Sequence, residues 1–139
     1  RFLGETSHSV DPGGRMSHPK THHPSLDVDE SGRPAGVLLL EPTRQDCIWV
    51  VNDDGFDREL AEFVTPEAGS SPEHRDKQRA LYRWVTNFSL DKSGRLTLPD
   101  ALRKKVGIEG DAMVVGMDSR LEIWPKATWE ERYGDASLV

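Results

Sequence analysis

The 139-residue chain holds one cysteine, Cys47, so it can form no internal disulfide and no cysteine-rich zinc site. No apolar run approaches the roughly 20 residues of a membrane span, and the N-terminal stretch lacks the charged-then-apolar order of a secretion signal, so a cytoplasmic location is expected. There is no phosphate-cradling glycine loop and no nucleophile elbow, and Cys47 lies in a strand-like segment where a small buried hydrophobe is the default. The chain therefore reads as a non-enzyme without a cofactor. A uniformly basic surface is missing too, because 18 Lys and Arg stand against 24 Asp and Glu for a formal net charge of −6. The charge is unevenly placed. Residues 72–105 carry nine basic side chains (Arg75, Lys77, Arg79, Arg83, Lys92, Arg95, Arg103, Lys104 and Lys105) and four acids (Glu73, Asp76, Asp91 and Asp100), leaving +5 there and −11 elsewhere. Such a chain can offer a cationic face to an anionic partner on one side only.

What is present is a motif that occurs twice. Ser9-Val10-Asp11-Pro12-Gly13-Gly14-Arg15-Met16-Ser17-His18-Pro19 aligns with Ser89-Leu90-Asp91-Lys92-Ser93-Gly94-Arg95-Leu96-Thr97-Leu98-Pro99 at a constant offset of 80. Downstream, Val37–Leu40 matches Ala112–Val115, and Cys47-Ile48-Trp49 matches Glu122-Ile123-Trp124, now at an offset of 75. The chain is a tandem duplication. Around Asp91–Gly94, apolar and polar residues alternate, which predicts two strands flanking a tight turn. The aspartate can accept a bond from the backbone N–H two residues on, and the glycine tolerates the left-handed conformation that closes such turns. Pro99 then opens a helix, Arg103, Lys104 and Lys105 fill its last turn, and Gly107 stops it.

The first copy predicts strands over Thr6–Val10 and Arg15–His18, then departs from the second. Pro24 removes the N–H that a second helical turn would need, and Pro19, Pro34, Gly32 and Gly36 surround it, so residues 20–35 are expected to be a polar, poorly ordered loop. Strands follow over 37–40 and 47–51, then a helix over 56–64 and a linker over 65–71. A capped helix begins at Ser71-Pro72 and ends near Tyr82 or Trp84. In the second copy, strands over 112–116 and 121–124 precede a last helix from Pro125 to about Tyr133 and a frayed tail over 135–139. The four tryptophans read as core, with Trp49 and Trp124 as symmetry mates.

The repeated Asp-x-x-Gly-Arg with its following proline, the Phe2-Leu3-Gly4 opening, and the Ile48-Trp49 and Ile123-Trp124 pairs resemble the MraZ family of bacterial transcriptional regulators over nearly the whole chain. The resemblance implies a mostly β fold with α: a tandem AbrB-like double-split β-barrel with flanking helices. Residues 1–64 would form the first half, its helix replaced by the loop 20–35, and residues 65–139 the second half, with a connecting helix over 72–84. It also implies double-stranded DNA as partner, in the form of repeated promoter sites of the division and cell-wall operon, a ring-shaped homo-oligomer, and a nucleoid-associated location away from any membrane. Carried over residue by residue, DNA contact falls on Arg15, Lys20, Lys92 and Arg95, and structural turn roles on Asp11, Gly14, Asp91 and Gly94. Pro12 and Gly13 stand where the family favours basic residues, so the second turn is expected to make the stronger contacts.

Each assignment has a plainer counterpart. Arg15 and Arg95 could brace Asp11 and Asp91 rather than touch DNA, and Arg103, Lys104 and Lys105 could simply complement a helix dipole. Arg75, Lys77, Arg79 and Arg83 read as a solvated helix face. His8, His18, His22 and His23 share no spacing that aims them at one point, so they read as solvated histidines that add charge below pH ~6.5, and no metal is expected. The alternative function is a structural or interaction protein of the same fold that binds no DNA and whose first site has decayed.

Overall fold

The computed structural model describes residues 1–61, 63 and 71–134. Its strands are β1 (Glu5–Ser9), β2 (Arg15–Ser17), β3 (Asp27–Val28), β4 (Pro34–Leu40), β5 (Ile48–Val51), β6 (Thr86–Ser89), β7 (Arg95–Thr97), β8 (Asp111–Gly116) and β9 (Leu121–Pro125). Its helices are α1 (Asp53–Leu60), α2 (Pro72–Tyr82), α3 (Asp100–Val106) and α4 (Lys126–Tyr133). The expected mixture of β-sheet with flanking helices is present.

The strands flanking each turn do not pair with each other as simple hairpins would. Beyond the turn they part: β1 runs antiparallel to β8, and β6 to β4, so each copy lends its first strand to the other copy's sheet. The large sheet has the order β1-β8-β9-β5-β4-β3, with β6 also on β4, and β2 and β7 form a separate two-stranded ribbon. Where the copies meet, equivalent residues face each other. Ile48 pairs with Ile123 between β5 and β9, and Met16 with Leu96 between β2 and β7. An approximate two-fold axis therefore passes through both pairings.

Strands β4, β5, β8 and β9 are buried on both faces, which explains their continuous apolar runs. Leu38, Leu40, Ile48, Val114 and Ile123 face inward and pack with Met16, Leu90, Leu96 and Leu98 beneath the ribbon. Val37, Leu39, Cys47, Trp49, Val51, Met113, Val115 and Trp124 face the other way, against Leu60 of α1 and Leu81 of α2. Trp49 and Trp124 are thus core residues of the helix-covered face rather than of the barrel interior. Burial pushes the Cys47 thiol pKa up, as suits an inert apolar residue. Arg120 ties α1 to the sheet through Glu59 and Glu122 while its guanidinium lies 4.5 Å from the Trp49 ring centre.

α1 begins three residues before the expected start because Asn52 caps it, its side chain accepting the Gly55 N–H at 2.6 Å. The segment that follows β5 thus supplies both a cap and an acidic first turn, Asp53 and Asp54. α1 ends at Leu60. Of the expected continuation to Val64, residues 62 and 64 lie outside the described residues, as do residues 65–70 of the linker and the tail 135–139. α2 opens as predicted, with the Ser71 hydroxyl accepting the His74 N–H at 3.0 Å and Pro72 at the first helical position.

The polar loop expected over residues 20–35 is instead regular structure. Lys20–Ser25 forms a 3-10 helix, β3 pairs with β4, and β4 begins at Pro34. Pro24 is tolerated because the turns on either side of it close through other N–H groups, that of His22 on the Pro19 carbonyl and that of Leu26 on the His23 carbonyl. The segment also has more to bury than its composition suggested, since Leu26 and His22 are both withdrawn from solvent.

His18 and His22 occupy the places of Leu98 and Leu102 in the second copy, and all four are buried. The reading of solvated histidines is therefore corrected for this pair. His18 Nδ1 lies 3.3 Å from the Pro19 carbonyl oxygen, and Nε2 is buried without a partner among the described residues. Protonation would leave an unpaired N–H in an apolar setting, and this desolvation pushes the His18 pKa down to about 4 from 6.5. Burial lowers the His22 pKa as well. These rings oppose charging below pH ~6.5 rather than supplying it.

The unfolded chain takes up a proton near pH 6.5, while folded His18 resists until about pH 4. Its contribution to stability is therefore whole above pH 6.5 and lost progressively as pH falls to 4. Chemical denaturation across this range should show the loss, and His18→Leu should remove about 3 kcal/mol of it. An unchanged pH profile in the variant would show that His18 is not the cause.

Candidate nucleic-acid interface

Each turn is built by one aspartate. In the second, Asp91 Oδ1 accepts the Ser93 and Arg95 N–H groups at 2.9 Å each, and the Asp91 carbonyl accepts the Gly94 N–H at 2.9 Å. Gly94 has φ +76°, a conformation that a side chain would strain. The first turn repeats this geometry, with Arg15 N–H on Asp11 Oδ1 at 2.9 Å, Gly14 N–H on the Asp11 carbonyl at 2.9 Å, and Gly14 at φ +83°. The backbone N–H of the arginine in each turn is the leading cause that holds the aspartate pKa below the usual range. Both carboxylates stay ionised at neutral pH.

The arginine side chains return to the same carboxylates. Arg15 Nε lies 2.9 Å from Asp11 Oδ2, and Arg95 Nε lies 3.0 Å from Asp91 Oδ2, with all four side chains substantially exposed. An exposed pair of this kind is worth little in water, so the guanidinium can exchange the carboxylate for another anion. The middle pair of the ribbon, Met16 with Leu96, faces inward. Because Met16 and Leu96 are buried, Arg15 and Ser17 of β2 and Arg95 and Thr97 of β7 share the outward face. Arg15 pairs with Thr97 and Arg95 with Ser17, which sets the two arginines diagonally across the ribbon, roughly 7–8 Å apart.

Lys20 belongs to the first copy by sequence but stands beside the second turn. It lines a cleft of about 270 Å³ together with His8, His23, Ser17, Ser93 and Gly94. Its equivalent in the second copy is Asp100, which pairs at 2.8 Å with Arg103 next to the first turn. The second turn thus gathers Lys92, Arg95 and Lys20, all exposed, whereas an acid accompanies the first. The basic residues of α2 do not join them. That helix packs through Leu81 on the opposite face of the sheet, with Arg79 paired to Asp76 and Arg83 lying over Trp84.

A third turn of the same kind escaped the sequence reading. Asp29-Glu30-Ser31-Gly32-Arg33 has the same Asp-x-x-Gly-Arg frame and joins β3 to β4, with Ser31 and Arg33 N–H on Asp29 Oδ1 at 2.9 Å and Gly32 at φ +85°. The motif itself was the available signal, hidden because it belongs to neither offset. Here the Ser31 hydroxyl occupies the aspartate at 2.7 Å, and Arg33 makes no ion pair among the described residues. The turn therefore closes without its arginine side chain. That comparison separates the two roles within the motif: aspartate and glycine form the turn, and the arginine side chain is spare.

Among the described residues, no group of His, Cys, Asp and Glu could hold a metal ion, and no helix is long and apolar enough to cross a membrane. The sequence model of an antitoxin-like MraZ protein family matches residues 81–137, within the second copy. A protein named transcriptional regulator MraZ from Dehalococcoides mccartyi is 33% identical over 129 residues, covering 93% of this chain and 85% of the relative. One of the same name from Thermomicrobium roseum is 34% identical over 128 residues, covering 92% and 84%, and one from Thermobifida fusca is 30% identical over 138 residues, covering 99% and 90%. With likeness running through both copies and across the crossed strands that join them, the chain belongs to the MraZ family.

Proposed function

We propose that the protein is a transcriptional regulator, acting as a repressor, that grips double-stranded DNA with the outward face of the β2–β7 ribbon and its two turns. The observation that carries this reading is the pair of exposed arginines on one ribbon face, each spare to the turn that presents it. Phosphate contacts from Arg95, Lys92 and Lys20 would dominate, with Arg15 secondary, since the charge around the second turn is the more positive. The names of the relatives support regulation of transcription. The family resemblance supports repeated sites upstream of the division and cell-wall operon, a cytoplasmic, nucleoid-associated location, and no catalytic role. On this reading residues 1–64 and 65–139 are the two units of the duplication.

Each ribbon supplies few contacts, so affinity would come from several linked subunits engaging successive repeats. A closed homo-oligomeric ring fits the apolar surface one chain leaves uncovered. Leu3, Val28, Tyr82, Met117 and Tyr133 are exposed, and a groove of about 310 Å³ between α2 and the β4–β5 connection is lined by Leu40, Leu81 and Trp84. Light scattering at micromolar concentration should give a multiple of 15.6 kDa, and a monomer at that concentration would refute the ring.

Binding to DNA carrying the upstream repeats, measured at several salt concentrations, tests the rest. Arg95→Ala should weaken binding roughly tenfold and lower the salt slope by about one, and Arg15→Ala should do less. Arg95→Ala should leave the melting temperature within about 2 °C, whereas Asp91→Ala should lower it by about 5 °C because backbone N–H groups lose their acceptor. If Arg95→Ala lowers stability while affinity is unchanged, the arginine is a brace and the protein is a structural member of its fold. A larger binding loss at Arg15 would reverse the order of the two turns.

A further inference from the structure

Arg103 and His23 are equivalent residues of the two copies at the offset of 80, and each lies against the turn of the other copy. Arg103 is in the last turn of α3, where a cation would ordinarily point to solvent, as its exposed neighbour Lys104 does. Its side chain is instead only 14% exposed. One end of its guanidinium bonds Asp100 at 2.8 Å and reaches the Pro12 carbonyl at 3.4 Å, and its Nε is buried without a partner among the described residues. A Cβ on Gly14 would lie 2.5 Å from the Leu98 carbonyl oxygen and 3.4 Å from Arg103 Nε, so the second copy closes over the first turn with room for glycine alone.

On the other side the equivalent residue takes the same place in looser contact. A Cβ on Gly94 would lie 3.3 Å from His23 Cε1. The His23 ring Nε2 lies 3.2 Å from the His18 carbonyl oxygen, and the His18 N–H donates to the Gly94 carbonyl at 3.1 Å. The equivalent bond, from Leu98 N–H to the Gly14 carbonyl, is 2.8 Å. Each turn thus carries a residue of the other copy over it, a guanidinium bonded to the Pro12 carbonyl at the first and an imidazole close over Gly94 at the second.

We infer that Arg103 and His23 are positioning residues, each fixing the hairpin turn of the other copy in the orientation that presents Arg15 or Arg95 to DNA. This rests on the proposed DNA-binding role of the turns. A guanidinium so far withdrawn from water is held only where its contacts repay desolvation, and the first turn supplies one of them. The consequence is a crossed dependence: changes in the second copy's helix act on the first turn, and changes in the first copy's 3-10 helix act on the second.

The test uses the full chain, with Arg103→Met, which keeps the packed stem without the donors, and His23→Ala. Amide hydrogen exchange of the free protein should quicken about tenfold at Gly14 in the first variant and at Gly94 in the second, each leaving the other turn unchanged. Exchange that quickens only within α3 in Arg103→Met, or equally at both turns in either variant, would overturn the inference. If Arg103→Met does not fold, Arg103→Lys serves, with a smaller change at the same amide. In DNA binding, the loss from Arg103→Met should vanish in an Arg15→Ala background and persist in an Arg95→Ala background, with the converse for His23→Ala. Should neither Arg15→Ala nor Arg95→Ala affect binding, the DNA-binding reading fails, while the exchange measurement still decides whether the braces are crossed.

Discussion

Neither copy of the repeat can complete its own sheet. Beyond the tight turn at Asp11 or Asp91 the flanking strands part, and they carry backbone N–H and C=O groups that must find partners. They find them on the other copy, β1 on β8 and β6 on β4, while the short strands β2 and β7 pair across the pseudo-two-fold axis. Fusion in one chain makes this exchange intramolecular. The ribbon exists only because both copies contribute to it, so the surface that displays Arg15 and Arg95 is a property of the pair and of neither half.

Within that frame, rigidity and charge are carried by different atoms of the motif. The aspartate spends its Oδ1 on backbone N–H groups and so stiffens the turn, and its Oδ2 parks the arginine. A side chain held in place by a weak, exposed partner loses less freedom on reaching a phosphate than one waving in water. The Asp29 turn shows the same backbone in a setting of acidic neighbours, Asp27 and Glu30, where no anion would be welcome. The motif is thus a way to make a turn, and becomes a candidate contact only where the ribbon and the local charge agree.

Much of this was legible in the sequence. The constant spacing of the two motifs exposed the duplication, and caps such as Ser71-Pro72 marked helix starts because their chemistry is local. The crossed pairing was not legible, since Thr6–Val10 followed by a turn and Arg15–His18 reads equally well as a plain hairpin until tertiary partners decide. Residues 20–35 misled for a related reason: proline content argues against an α-helix but not against a 3-10 helix, and His22 looked polar until Phe2 and His18 enclosed it. Lys20 could not be assigned to the second turn, nor Arg103 to the first, because both placements depend on the exchange of strands.

The central claim is that DNA meets the protein on the ribbon face, mainly at the second turn. Amide hydrogen exchange of the protein with and without duplex DNA bearing the upstream repeats measures this directly, at low salt where complex formation is complete. The account predicts slowed exchange over residues 91–95 and around Lys20, weaker slowing over residues 11–15, and no change in α2. Protection confined to α2, or an exchange pattern indifferent to DNA, would contradict it.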